Sequence, residues 1–122
     1  MKIVDANIVL RYLLNDAEDL SEKAIELLEN NEVFVPNEVI AEIVYVLEKV
    51  YKVDNGEICS SLTELFGYKN IQVSDGEVVN EALKVYSERK LDFVDTILCA
   101  YHKIRKHEIY SFDKKLNNLL KK

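Results

Sequence analysis

Apolar residues along this chain fall in two rhythms, runs of about three and stripes at helical spacing. Lys2, Ile3 and Val4 form a strand-like run that ends at Asp5. Ile8, Val9, Tyr12 and Leu13 then recur on one helical face. A second helix is predicted over about 21–30, with Ala24, Leu27 and Leu28 on one side. Val33, Phe34 and Val35 read as a strand stopped by Pro36, and Asn37 suits the N-cap of a helix reaching about Val50. Within that helix Val39, Ile40, Ile43, Val44, Val46, Leu47 and Val50 share one wide apolar face. Asp54 with Glu57 resembles a capping box, opening a helix that stops near Gly67. Ile71, Gln72 and Val73 are a third strand. Asp75 is placed to cap a helix to about Lys90, and Asp92 another through about Lys106. Residues 108–112 are a fourth strand, followed by Asp113 and a terminal helix.

Two helices thus separate successive short strands. Connections of that length imply parallel pairing. The predicted fold is a three-layer α/β/α sandwich around a central, mostly parallel sheet of four or five short strands. At 122 residues and 14.1 kDa the chain is expected to be a single domain, residues 1–122, without a linker or internal repeat. Hydrophobic residues make up 48%, enough for a core without staples. No apolar run approaches the roughly 18 residues of a membrane span. Met1 to Asp5 runs straight into a strand, without a signal-peptide pattern. Cys59 and Cys99 form no Cys-x-x-Cys pair, so the expectation is two reduced thiols in a cytoplasmic protein.

The net charge is −6 and the pI about 5.0. Proteins that bind nucleic acid by electrostatics alone are usually basic. Either nucleic acid is not the partner, or something cationic, such as a bound metal, supplies the charge.

The acids are therefore the chemistry to follow. Ligands of an open parallel sheet gather beyond the carboxyl ends of its strands. Asp5 follows the first strand and Asp113 the fourth, so parallel, neighbouring strands would aim both into one crevice. Asp75 also follows a strand, and its reading is an N-cap. Glu42 falls at the edge of its helix's apolar face, either a solvated flank residue or a carboxylate aimed over the sheet end. In the helix after Asp92, Phe93, Val94, Ile97, Leu98, Ala100, Tyr101 and Ile104 cover one side. Asp92, Asp95, Cys99 and His102 share the other stripe. His102 lies two turns from Asp95, too far to share a metal with it, and both His102 and His107 read as surface residues. Several carboxylates in one crevice call for a hard divalent cation such as Mg²⁺ or Mn²⁺. Such an ion clamps phosphate oxygens and activates water, which suits phosphodiester hydrolysis.

Four blocks carry a resemblance. Residues 4–14, Val-Asp-Ala-Asn-Ile-Val-Leu-Arg-Tyr-Leu-Leu, place an acid before Ala-Asn and an Arg-Tyr-Leu run. Glu42 lies in Asn-Glu-Val-Ile-Ala-Glu-Ile, Asp95 in Phe-Val-Asp-Thr-Ile-Leu-Cys-Ala, and Asp113 in Ser-Phe-Asp-Lys-Lys. In order and spacing these resemble the PIN-domain ribonucleases, in particular the VapC toxin branch. The resemblance implies an endoribonuclease that hydrolyses RNA by a metal-activated water. Asp5, Glu42, Asp95 and Asp113 would surround Mg²⁺ or Mn²⁺. It also implies a homodimer and a cognate antitoxin that blocks the site. Asn7 and Ser111 would be supporting polar groups; otherwise they are a helix-start cap and a strand-end hydroxyl. Arg11 would meet phosphate or pair with an acid; otherwise it is a surface helix arginine. Asp92 is an extra acid beside Asp95. Ala6 stands where the family commonly has Thr or Ser, so a hydroxyl near the site is lost.

Two other classes are less consistent with the chain. A receiver-type signalling domain alternates one helix per strand and pairs acids at its first strand, where Val4 precedes Asp5 here. A catalytically inert PIN-fold binding module would not need all four acids. Tyr51, Phe66 and Tyr68 are either ordinary half-buried aromatics or a dimer or partner surface.

Overall fold

A computed structural model describes residues 1–121. The chain divides into two compact units, Met1–Ser74 and Asp75–Lys122.

The first unit holds the sheet. Its elements are β1 (Lys2–Ile3), α1 (Ala6–Leu14), α2 (Glu18–Asn30), β2 (Val33–Phe34), α3 (Asn37–Lys49), α4 (Asn55–Phe66) and β3 (Ile71–Gln72). The strands pair in parallel in the order β1-β2-β3, with Ile3 opposite Phe34 and Phe34 opposite Gln72. Two helices cross over between each pair, as the alternation of runs and stripes predicts. Val9, Val33, Val35, Ile40, Ile43, Ile58 and Leu62 are fully buried. Each such side chain contributes about 1.5–3 kcal/mol relative to exposure. The Asn70 amide donates to the Leu28 and Asn31 carbonyls at 2.6 and 2.8 Å, which occupies acceptors left open at the end of α2.

Two helix starts differ from expectation. Ser21 is not where α2 begins. It lies buried inside the first turn, where its hydroxyl accepts from Ala17 N at 3.2 Å. Pro36, rather than Asn37, occupies the cap of α3, because its carbonyl already accepts from Val39 and Ile40, both at 3.0 Å. The buried stripe of α3 is Ile40, Ile43, Val44 and Leu47, and Val50 lies exposed past its end.

The second unit contains α5 (Gly76–Glu88), α6 (Phe93–Arg105) and α7 (Lys114–Leu120). Helices α5 and α6 pack together, with Tyr86 and Phe93 meeting edge to face at 5.9 Å. Asp75 caps α5, accepting from Val78 N at 3.2 Å. Its carboxylate also takes two hydrogen bonds from Arg105, both 2.8 Å, joining the end of α6 to the start of α5. The buried face of α6 is Phe93, Thr96, Ile97 and Ala100. Thr96 is tolerated there because its hydroxyl donates to the Phe93 carbonyl at 2.6 Å. Val94, expected inside, is exposed.

The fourth strand is corrected. Residues 108–112 form no strand, so the sheet has three strands among the described residues rather than four or five. The segment alternates exposed and half-buried positions, the pattern that reads as a strand. Its polar groups are engaged locally instead. The Ser111 hydroxyl accepts from Asp113 N at 3.0 Å, and its carbonyl from the Asn117 amide at 2.8 Å. Tyr110 donates to Glu108 at 2.9 Å. Cys59 and Cys99 are free and half-buried. Among the described residues no helix is long and apolar enough to cross a membrane.

Candidate active site

In the first unit the run Lys-Ile-Val ends at Asp5, which turns the chain into α1 by capping it. Its Oδ1 accepts from Ile8 N at 3.2 Å. Asp5 and Glu42, the latter from the middle of α3, line one cleft of about 330 Å³ with Asn7, Arg11 and Tyr51. Both acids and Asn7 are exposed. Asn7 is the second residue of α1, so the capping role falls to Asp5 and the amide is left facing the cleft.

Arg11 is committed elsewhere. Its side chain is 14% exposed and donates to Asp16 Oδ1 at 2.6 Å and to the Tyr51 hydroxyl at 2.9 Å. The Tyr51 hydrogen bond and the Asp16 charge raise its pKa against the opposing effect of burial. Of the roles open to it in the sequence, pairing with an acid is the one observed. The acid is Asp16, beyond the left-handed turn at Asn15, and not a candidate site residue. A partner five positions on, across a helix end, leaves no periodic signal. Tyr51, forty positions away, leaves none either.

In the second unit two acids, Asp92 and Asp113, act on a third, Asp95. Asp92 occupies the cap of α6 but makes no side-chain capping bond, contrary to expectation. Asp95 lies in the first turn and is half-buried. Burial raises its pKa, and the charges of Asp92 and Asp113 raise it further, with Lys115 opposing. Asp113 caps α7 through Oδ1, which accepts from Leu116 N at 3.0 Å. The Ser111 hydroxyl accepts from Asp113 N at 3.0 Å, in a turn and not at a strand end. Lys115 was not among the sequence candidates, although it stands two residues past Asp113.

His102 is half-buried rather than a plain surface residue. Its Nδ1 lies 2.9 Å from the His107 carbonyl, and it takes no part with the acids. Tyr51 and Tyr68 are partly exposed and Phe66 half-buried.

The donors Asp5, Glu42, Asp95 and Asp113 are all carboxylate oxygens, the chemistry that suits Mg²⁺ or Mn²⁺. None of the four enters an ion pair among the described residues. Nor do any three His, Cys, Asp or Glu side chains among them stand close enough together to hold a metal ion as they are placed.

The PIN domain model matches residues 2–122, so the chain belongs to the PIN-domain family. Within that family it is of the VapC type. It is 30% identical over 124 residues to a protein of Aquifex aeolicus (strain VF5) named VapC ribonuclease, covering 98% of this chain and 92% of that one. No solved structure matches it.

Proposed function

We propose that this chain is a metal-dependent endoribonuclease, the toxin of a toxin–antitoxin pair. In this reading it cuts RNA in the cytoplasm as a homodimer and is silenced by its antitoxin. Asp5 and Glu42 from the first unit, and Asp95 and Asp113 from the second, serve the cleavage. One observation carries the reading. Among the described residues, no ion pair joins Asp5, Glu42, Asp95 or Asp113 to a Lys or Arg, while the nearby Arg11 is spent on Asp16. The likeness to the Aquifex VapC ribonuclease gives the substrate class.

These residues would hold Mg²⁺ or Mn²⁺, which supplies Lewis acidity toward phosphate oxygens and lowers the pKa of water. The chain's own part is positioning. Asp5 and Asp113 each keep one oxygen on a helix N-terminal N–H, which fixes the carboxylate and leaves Oδ2 for a cation. Asp95 is a half-buried acid pressed by two neighbouring acids, so a cation there relieves repulsion as well as desolvation. Asn7 presents an amide beside Asp5 and Glu42 that can orient water or a phosphate oxygen.

The test is incubation of the purified chain with total cellular RNA, with Mn²⁺ or Mg²⁺ and with chelator, beside Asp95→Asn. Discrete cleavage that needs both metal and Asp95 supports the reading. Cleavage by folded Asp95→Asn, or cleavage that persists in chelator, overturns it.

A further inference from the structure

The second unit carries a concavity that the acidic site does not use. It has a volume of about 600 Å³ and is lined from α5, α6 and the end of α7. Its apolar lining is aliphatic: Val85, Ala100, Leu119 and Leu120. Ala100 is buried and the other three half-buried. Around them stand Arg89, Lys103, Lys106 and Lys121, all exposed. Glu81 is the one acid in the lining, and Lys103 neutralises it at 3.0 Å. The Lys106 ammonium donates to the Lys103 carbonyl at 3.0 Å, which fixes it at the end of α6. Arg89 and Lys121 enter no ion pair among the described residues. A neighbouring concavity shares Arg89 and Leu119 and adds Lys90 and Lys115, so the cationic edge continues.

The lining selects among anionic partners. A nucleic-acid backbone needs cations but gains nothing from an aliphatic floor, and single-stranded bases stack on aromatic side chains. The only ring in this lining is His102, already tied to the His107 carbonyl. An aliphatic floor inside a cationic rim matches an apolar side chain flanked by carboxylates. A volume of this size falls within the range that buries such groups. We propose that the concavity of α5, α6 and α7 docks a peptide segment of a partner protein, acidic and carrying an apolar anchor. Charge complementarity orients the segment, and the aliphatic floor holds the anchor. The proposal does not rest on the nuclease reading.

The test is selection of a displayed library of random short peptides against the full chain. Binding of the best enriched peptide is then measured by fluorescence anisotropy. Enriched sequences are expected to be rich in Asp and Glu around an aliphatic or aromatic residue. Affinity should fall at least about tenfold in Arg89→Glu/Lys121→Glu. It should survive in Arg89→Lys/Lys121→Arg, and in Lys23→Glu/Lys69→Glu of the first unit. A short single-stranded RNA should not displace the peptide. Enrichment without acidic bias, or equal affinity in the two charge-reversed proteins, overturns the proposal. Displacement by the RNA overturns it too and makes the concavity a nucleic-acid site.

Discussion

The first 74 residues carry six Lys and Arg against 14 Asp and Glu, a net of −8; residues 75–122 carry ten against eight, a net of +2. The overall −6 is therefore an average of two unlike regions. Judged on that average, nucleic acid looked like a partner that only a metal could reconcile with the chain. The division places the excess acid in the unit with the sheet and leaves the helical unit mildly cationic. The candidate acids are unlike in the same way. Asp5 and Glu42 line a cleft whose arginine is held by Asp16. Asp95 sits among acids, with Lys115 as the cation that offsets them. A net charge for the whole chain is thus a poor guide to where a polyanion goes.

The sharpest way to break the comparison is to remove the acids region by region. Asp5→Asn, Glu42→Gln, Asp95→Asn and Asp113→Asn should each lower RNA cleavage by at least about 100-fold at unchanged fold. Gel assays on one substrate, with circular dichroism of each variant, measure this. Normal cleavage by Asp5→Asn and Glu42→Gln, with loss in the other two, would confine the site to the second unit.

Cation binding gives the next largest effect. Mn²⁺ at about 100 times its dissociation constant should add about 2.7 kcal/mol to stability, read as a higher Tm. Asp95→Asn and Asp113→Asn should remove most of that gain. A gain that survives all four substitutions would place the ion somewhere else.

Without metal, the two regions should respond differently to neutralisation. Asp5→Asn keeps a good cap and should leave Tm nearly unchanged, whereas Asp5→Ala should cost about 1 kcal/mol. Asp95→Asn removes a carboxylate whose ionisation is disfavoured by burial and by Asp92 and Asp113, so its Tm should rise by a few degrees. The sign follows from linkage. An acid whose folded pKa lies above its unfolded value destabilises the fold while ionised, and the penalty disappears as pH falls through the folded pKa. The gap between Asp95→Asn and the unsubstituted chain should therefore be widest near neutrality and close toward pH 4. Thermal melts across that range decide it.

The helices were the most legible part of the sequence, because amphipathic spacing is local. The stripe of Ile40, Ile43, Val44 and Leu47 was evident from period alone, as were Asp54 and Asp75 as caps. The start of α3 was not, because the Pro36 carbonyl and not the Asn37 side chain satisfies its first N–H groups. Residues 108–112 alternate as a strand does, but a strand exists only with a ladder partner, and the Ser111 turn took their polar groups. Thr96, and not Val94, lies on the buried face of α6, because one backbone carbonyl suffices to bury a hydroxyl. At the candidate site Asp5 is legible from its place after a strand, Asp113 from its place after a run that forms no strand, and Glu42 and Asp95 only from the blocks around them. The network of Arg11, Asp16 and Tyr51 joins residues that no short pattern connects.

The smallest expected effect concerns Asp75, an acid with a full set of partners and so the opposite of Asp95. Arg105 donates to both its oxygens, and with the Val78 N–H it holds the carboxyl at about 2, against the pull of burial. A folded pKa below the unfolded one means a contribution that is complete above pH 4 and is lost as pH falls toward 2. Partial exposure of the pair, 39% for Arg105 and 20% for Asp75, keeps that contribution modest through solvent screening. Arg105→Gln should shift the acid unfolding midpoint upward while moving the neutral-pH Tm only slightly, and high salt should shrink the difference. Equal acid midpoints in the two proteins would mean that the Asp75 cap on α5, and not its ion pair, holds this helix start.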